Sequence, residues 1–463
     1  MRLTLDRHSF ALRALGAGTL LSLSGLAGCG NSNLYQYDAP AAVVVADFNG
    51  SGYPAMAVAQ AQINQLTTVE QPGYVALIEQ NTSNLGSYEP SVHFATQGNP
   101  SAMAVGSFIP GTVDLAVANV NDDSISVLIE NDTHPVNFKP AINVPASPAG
   151  LAATTLPFDV AICDVNNDGH PDIVVAYQLQ QNISNVVTPV GGGVNVILQD
   201  PSNPGTFLAA TNVGSAPTPM NVVDGLTVNG AYQYPNSSFG VACANLSGDS
   251  TAAPDIVMTS YSAYDDTLYA NGGTLSIFFH DPAHPGSFLP RVDIPLPGAL
   301  HRVVIADVNG DGLPDLIVAD EEAGADGVGE SGAMVLLQKK PSSPGAQPTF
   351  GDNAPNLTDS AISIAVGDLT GSGFNDIVVS SSAPSGTGSI SVLLNTPSDP
   401  GTFATPVVYS GLGNPVAVAI GNLDGKVSTT LPDIATADTS GGAVMFNEAS
   451  NPGTFEASVL VGG

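Results

Sequence analysis

Asp164-Val165-Asn166-Asn167-Asp168-Gly169-His170-Pro171-Asp172 and Asp307-Val308-Asn309-Gly310-Asp311-Gly312-Leu313-Pro314-Asp315 are one loop written twice. An apolar run such as Val303-Val304-Ile305-Ala306 leads in. Another, such as Asp172-Ile173-Val174-Val175-Ala176, leads out. Weaker versions complete a series of seven, opening at Asp47, Ser107, Asp164, Asn245, Asp307, Asp368 and Asn422, at steps of 60, 57, 81, 62, 61 and 54 residues. Recurrence at such a period is the signature of a repeat-built fold.

Each unit continues in the same way. A third apolar run follows, as in Val194-Asn195-Val196-Ile197-Leu198, then a Pro-Gly turn ending in Phe. That turn reads Pro204-Gly-Thr-Phe207, Pro285-Gly-Ser-Phe288, Pro400-Gly-Thr-Phe403 and Pro452-Gly-Thr-Phe455. A fourth run returns to the next unit. Short β-branched runs bounded by Gly, Pro, Asn and Asp are strands. Many are continuous rather than alternating, which predicts sheets covered on both faces. Seven units of four strands predict an all-β fold, a seven-bladed β-propeller of four-stranded antiparallel blades. A sandwich array would also supply short strands but has no need of seven similar units.

With the loops and their flanking Ile/Leu-Val-Val strands in view, the chain resembles proteins built of FG-GAP or VCBS-type repeats, as in integrin α-subunit propellers and bacterial surface proteins. The resemblance spans residues from about 40 to 461 and is strongest at 164–172 and 307–315. It implies calcium in the hairpin between a blade's first and second strands. It does not imply a ligand, because one fold hosts many functions.

The residues point to the same ion. Calcium takes six to eight oxygens, and the complete loops place side-chain oxygens at positions one, three, five and nine. These are Asp164, Asn166, Asp168 and Asp172, and Asp307, Asn309, Asp311 and Asp315. His170 and Leu313 would add backbone carbonyls at position seven. Asp368, Thr370, Ser372 and Asp376 form a weaker third candidate. An EF-hand would need Glu at position twelve, where Val175 and Val318 stand. The loop at Asp47 lacks its ninth ligand, replaced by Ala55. That at Asn245 carries two extra residues before Asp255, and that from Ser107 to Asp114 is one residue short and has lost its ligands. In the seventh loop Lys426 lies among Asn422, Asp424 and Asp433, which suggests an ammonium in place of a metal.

The first residues read as a processing signal rather than as part of the fold. Arg2, Arg7 and Arg13 precede an apolar segment from Ala14 to Gly25, and Leu26-Ala27-Gly28-Cys29 resembles a bacterial lipobox. The expected division is a signal peptide over 1–28, lipidated Cys29 with a tether over 29–40, and a propeller over 41–463. Gly30 in place of Asp leans towards the outer membrane. The chain carries 9 basic and 41 acidic residues; Arg2, Arg7, Arg13 and Asp6 fall in the signal, leaving 6 − 40 = −34. Such a field disfavours nucleic acid and anionic headgroups. Cys163 and Cys243, one and two residues before their loops in adjacent units, have opposite parity and are expected to be buried free thiols.

In an up-and-down blade the first–second and third–fourth loops share one face. The calcium loops and Pro-Gly turns therefore lie together. The long segments 177–193, 209–239, 261–273 and 320–332 lie on the opposite face, where function concentrates. They carry Tyr177, Tyr232, Tyr234, Tyr261, Tyr264 and Tyr269, half of the twelve tyrosines in a chain with no Trp. Flat rings with a hydroxyl suit a sugar or a protein partner. The acidic stretch Asp320, Glu321, Glu322, Asp326 and Glu330 shares that face. No His-Glu-x-x-His, Cys-x-x-Cys or complete Gly-x-Ser-x-Gly motif occurs, and His280 and His284, beside a Pro-Gly turn, are expected to face solvent. The leading expectation is a monomeric, calcium-stabilised, membrane-anchored binding module for a glycan or envelope protein. The alternatives are a polysaccharide lyase or hydrolase on the same scaffold, and an outer-membrane assembly scaffold.

Overall fold

The computed structural model describes residues 36–64, 70–131, 137–149, 154–183, 186–215, 237–247, 252–262, 272–320, 332–340, 347–353, 361–381, 388–425, 431–438 and 441–461. Blade 1 comprises β1 (Gln36–Ala46), β2 (Ala55–Asn64), β3 (Glu70–Ile78) and β4 (Val92–Gly98). Blade 2 comprises β5 (Pro100–Gly106), β6 (Asp114–Asn119), β7 (Ser124–Leu128) and β8 (Ile142–Pro145). Blade 3 comprises β9 (Thr154–Cys163), β10 (Asp172–Ile183), β11 (Val186–Ile197) and β12 (Thr211–Ser215). Blade 4 comprises β13 (Ser237–Ala244), β14 (Asp255–Ser262), β15 (Gly272–Phe278) and β16 (Val292–Pro297). Blade 5 comprises β17 (Leu300–Ala306), β18 (Asp315–Asp320), β19 (Gly332–Lys339) and β20 (Thr349–Asn353). Blade 6 comprises β21 (Ser363–Gly367), β22 (Asp376–Ser381), β23 (Gly388–Leu393) and β24 (Val407–Leu412). Blade 7 comprises β25 (Ala417–Gly421), β26 (Asp433–Asp438), β27 (Gly441–Met445) and β28 (Val459–Val461).

Strands pair antiparallel in chain order within every blade, giving seven four-stranded sheets in a ring. First strands of neighbouring blades touch one another, so they line the central channel. Fourth strands carry the exposed Val92, Ile142, Val292, Val407 and Val459, so they form the perimeter. β1 begins five residues before the expected start, and 36–40 therefore belong to a strand rather than to the tether. Residues 1–35, including Cys29, lie outside the described residues.

The continuous apolar runs are explained by packing on both faces. Among the described residues, the buried apolar side chains fall into seven clusters, one at each blade junction. Alternation splits each strand between two of them. In blade 3, Ile173, Val175 and Ile197 face blade 2, while Val174, Ala176, Val194 and Val196 face blade 4. The second loop residue plugs each junction. Phe48, Phe108, Val165, Leu246, Val308, Leu369 and Leu423 are all at most 1% exposed.

Closure uses the same device. Among the described residues, no blade mixes strands from the two ends of the chain. Blade 7 meets blade 1 through Ala417, Leu423, Ala435 and Val444 against Val43, Met56, Val58 and Ile78. Gln80 Nε2 donates to the Asn422 carbonyl at 2.9 Å, and Tyr88 Oη donates to the Leu423 carbonyl at 2.9 Å. Amides in blades 5, 6 and 7 repeat the pattern. Gln338, Asn395 and Asn447 donate to the carbonyls of Leu246, Val308 and Leu369 in the preceding blade, at 2.9, 2.7 and 2.8 Å.

The expectation of free thiols at Cys163 and Cys243 is overturned. They form a disulfide, with Cα atoms 6.5 Å apart, inside the range such bonds require. Opposite parity separates two side chains on one sheet. Adjacent blades, however, meet by opposite faces, so opposite parity on β9 and β13 brings the sulfurs together.

Leu423→Ala in the closing junction is expected to cost about 2–5 kcal/mol, read as a lower urea midpoint with an unchanged denaturant slope. Leu208→Ala, at an exposed position, should stay within about 0.5 kcal/mol of the parent.

Candidate functional site

The acidic loops fold around their own first residue. Asp164 accepts the N–H of Asp168 at 3.0 Å and of Gly169 at 2.7 Å. Asp307 accepts those of Gly310 and Gly312 at 2.6 and 2.9 Å. Gly169 and Gly312 take φ of 86° and 81°, where a side chain would strain the turn. Positions three and five join the same knot. Asn166 Oδ1 accepts from the Asp168 N–H and its amide donates to Asp168 Oδ2, both at 3.0 Å. Asn309 and Asp311 repeat this pattern. Asp368 collects four loop N–H groups, and together these outweigh its partial burial and hold its carboxyl below the usual range.

The ninth position does something the ligand reading did not foresee. Asp172, Asp315 and Asp376 are buried in the blade. One oxygen of each accepts the N–H of the second loop residue, and the other accepts an N–H at the end of the third strand or just after it. For Asp172 these donors are Val165 at 3.0 Å and Gln199 at 2.8 Å. Asp114, Asp255 and Asp433 do the same in the degenerate loops. The carboxylate is thus a staple from loop to third strand in six blades. Blade 1, with Ala55 there, lacks the staple and keeps only the bond from Gln80 Nε2 to the Pro54 carbonyl at 2.7 Å, a bond whose counterparts Gln199, Asn395 and Asn447 make in stapled blades. Burial pushes Asp172 up to about 7 and Asp315, Asp376 and Asp433 to about 6, against the pull of the backbone donors.

The oxygens at positions one, three, five and nine are the hard donors calcium prefers. Asp164 and Asp168 lie near enough to raise Asp172 further, and Asp307 and Asp311 do so for Asp315. The set fits a cation chemically. Its carboxylates do not stand as a preformed trio, because among the described residues no three His, Cys, Asp or Glu converge as a metal cluster. Lys426 lies outside the described residues.

His280, expected in solvent, is turned inward, its Nδ1 2.9 Å from Asp255 Oδ1. It occupies the post-strand position that the staple draws in. His284 is exposed as expected.

On the opposite face, two expectations change. Tyr177 is not on an insertion. β10 and β11 extend into one long hairpin, and Tyr177 is 3% exposed inside it, its hydroxyl 2.6 Å from the Asn212 amide. Asp320 is 1% exposed at the end of β18 and accepts the Ala299 N–H at 2.8 Å, so it is not part of a solvated acidic run. Tyr261 lies near the end of β14. Tyr232, Tyr234, Tyr264 and Tyr269 lie outside the described residues, as do Glu321, Glu322, Asp326 and Glu330.

That face holds a cluster the sequence reading missed. Six residues before the loop, the first strands of five blades carry a β-bulge, skipping Ala41, Ser101, Phe158, Phe239 and the pair His301–Arg302. A bulge re-aims side chains, here at the mouth of the channel. Counting six residues back from each loop gives one ring of equivalent positions: Ala41, Ser101, Phe158, Phe239, His301, Ile362 and Val416. Five or six strand residues separate it from the acidic loops, roughly 17–20 Å.

Arg302 of blade 5 crosses the mouth. Its guanidinium pairs with buried Asp159 of blade 3 and donates to the Ser101 carbonyl of blade 2 at 3.3 Å. Asp159 also accepts the N–H of Val241, in blade 4, and of its neighbour Val160, each at 3.0 Å. One ion pair therefore ties four consecutive blades. Burial pushes the Asp159 carboxyl up, while the guanidinium and both N–H donors pull it down. Gly240 makes room for the bulge, since a Cβ there would collide with the His301 carbonyl oxygen. The sequence held one clue: Arg302 is among only six basic residues beyond the signal segment. A perimeter cavity of about 390 Å³ between β4 and β8, lined by His93, Gln97, Lys139 and Asn143, stands apart from both faces.

Residues 254–318 match the family described as FG-GAP-like repeat, a span that includes the complete loop at 307–315. The matched span runs from the start of β14 into β18, about one repeat of the seven. No curated protein matches the chain. A structure described as a candidate 6-phosphogluconolactonase from Bacteroides uniformis aligns with TM-score 0.48 and 15% identity, over 90% of this chain and 96% of its own. The exotype rhamnogalacturonan lyase YesX aligns with TM-score 0.40 and 10% identity, over 90% of this chain and 71% of its own. The rhamnogalacturonan lyase YesW aligns with TM-score 0.39 and 13% identity, over 84% and 67%.

Asp114 separates the staple from any metal role, because its loop lacks the other ligands. Asp114→Ala strands buried N–H donors and is expected to cost about 3 kcal/mol. The same loss should be measured by urea unfolding in calcium and in chelator.

Proposed function

We propose that the protein is a calcium-stabilised binding module of the bacterial envelope, lipid-anchored at Cys29 in the outer membrane, which takes a glycan or an envelope protein on the face opposite the acidic loops. The observation that carries this reading is the sidedness of the fold. One face holds short acidic loops and tight turns that serve the blades. The other holds the strand ends from which the long connections leave, and the channel mouth with the Asp159–Arg302 pair. Loops on a rigid scaffold are where recognition concentrates.

In the complete loops, Asp164, Asn166 and Asp168, with their counterparts Asp307, Asn309 and Asp311, would hold calcium. Asp172 and Asp315 would contribute a second lone pair beside the backbone bonds they already accept. Bound calcium would supply positive charge to a crowded acidic loop. Extracellular sites of about 0.1–1 mM affinity add only about 0.4–1.4 kcal/mol each at millimolar calcium. The metal would therefore add a little stability and would not create the fold.

A lyase or hydrolase reading is less well supported by the same geometry. The buried carboxylate at the mouth is committed to Arg302 and two backbone N–H groups, which leaves it poorly placed to trade protons.

The test is retention of the chain from Asn31 onward on immobilised polysaccharides with calcium present. Retention on one polymer, reduced at least tenfold by Tyr261→Ala or by substitutions at the channel mouth, is the expected result. Asp307→Ala should remove part of calcium's effect on the thermal midpoint and leave retention largely intact. Failure on every polymer, with capture of a defined envelope protein, would leave only the protein-partner arm.

A further inference from the structure

Three rings stand in a row on one arc of the channel mouth. Phe158 and Phe239 have centroids 5.1 Å apart. Phe239 stacks on His301 at 5.3 Å with planes 22° apart. They come from blades 3, 4 and 5 at one repeat position, where the other blades carry Ala41, Ser101, Ile362 and Val416. The core does not require this row. Each junction already has its own apolar cluster, and none of the three rings belongs to one. Phe158 and His301 remain partly exposed, while Phe239 is buried between them.

The ion pair borders the row. Asp159 and Arg302 are the chain neighbours of Phe158 and His301, and Arg302 keeps 27% of its side chain exposed. A guanidinium offers five N–H groups in a rigid fork, of which the structure commits one to Asp159 and one to Ser101. The pair is neutral as a whole, in a chain with a formal net charge of −32.

The geometry points to a subsite for a neutral sugar ring at this arc of the channel mouth, stacked on Phe158 and His301 with its hydroxyls on the Arg302 guanidinium. Flat apolar faces beside a few fixed polar groups are what a carbohydrate site needs. Uronic acids are disfavoured twice, because Asp159 already neutralises Arg302 and the surrounding field is acidic. This inference rests on the glycan arm of the proposed function and narrows it to one place and one chemical class.

The test is calorimetric titration of neutral cello-, manno- and xylo-oligosaccharides, with oligogalacturonate as the acidic probe. One neutral oligomer should bind, and the double variant Phe158→Ala/His301→Ala should weaken it at least tenfold, while Tyr261→Ala/Tyr264→Ala changes it less than threefold. The reverse pattern would seat the sugar on the long connections, sinking the subsite but sparing the proposed function. Binding of oligogalacturonate alone would overturn the neutral class, and binding of no sugar would overturn the subsite together with the glycan arm. Should the double variant fail to fold, hydrogen exchange on the parent chain decides. A saturating oligosaccharide should protect 157–160, 238–241 and 300–303, and protection elsewhere only would refute the subsite.

Discussion

Every blade must bury two faces, and that constraint governs the rest of the structure. A four-stranded sheet made of runs such as Ile173-Val174-Val175-Ala176 cannot leave either side in water. Stacking solves this for the middle blades but would strand the outer faces of the first and last. The ring removes those faces by setting Leu423 and Val444 of blade 7 against Val43, Met56 and Val58 of blade 1. Among the described residues no strand is exchanged to lock the joint. Its strength is apolar area plus a few bonds to loop carbonyls, the same chemistry as every other junction.

The acidic loops follow from this arrangement. Their second residue is a core plug, and their ninth is a buried staple that fixes the plug to the third strand. A cation would be served mainly by the outer half of the loop, with the ninth-position carboxylate lending only a second lone pair. This division explains why Asp114, Asp255 and Asp433 take the place of the ninth residue in loops of other lengths whose ligand pattern has degraded. Their carboxylates hold the backbone whether or not an ion is present.

Much of this was legible in the sequence, and the failures have two causes. Spacing marked seven units, continuous apolar runs marked two covered faces, and strand order marked the sidedness. The disulfide and the mouth ion pair are decided between sheets, whereas Tyr177 and His280 are placed by strand extension and pairing within one sheet. Parity separated Cys163 from Cys243, yet adjacent blades meet by opposite faces. Position alone put Tyr177 in an insertion, yet β10 runs on past the blade and takes the ring with it. His280 looked like a turn residue, yet the staple draws it towards Asp255. Asp159 and Arg302 lie 143 residues apart, in blades that do not touch in sequence. Only the ring brings them together, and no local pattern marks either one.

Residue-resolved hydrogen exchange in increasing urea tests the closed ring most directly. If blades 1 and 7 are held like the rest, amides of β1 and β26 should converge on the same global unfolding isotherm as those of β14. Exchange of β1 and β26 through a separate, lower-energy opening that leaves β14 protected would contradict closure by face-to-face packing.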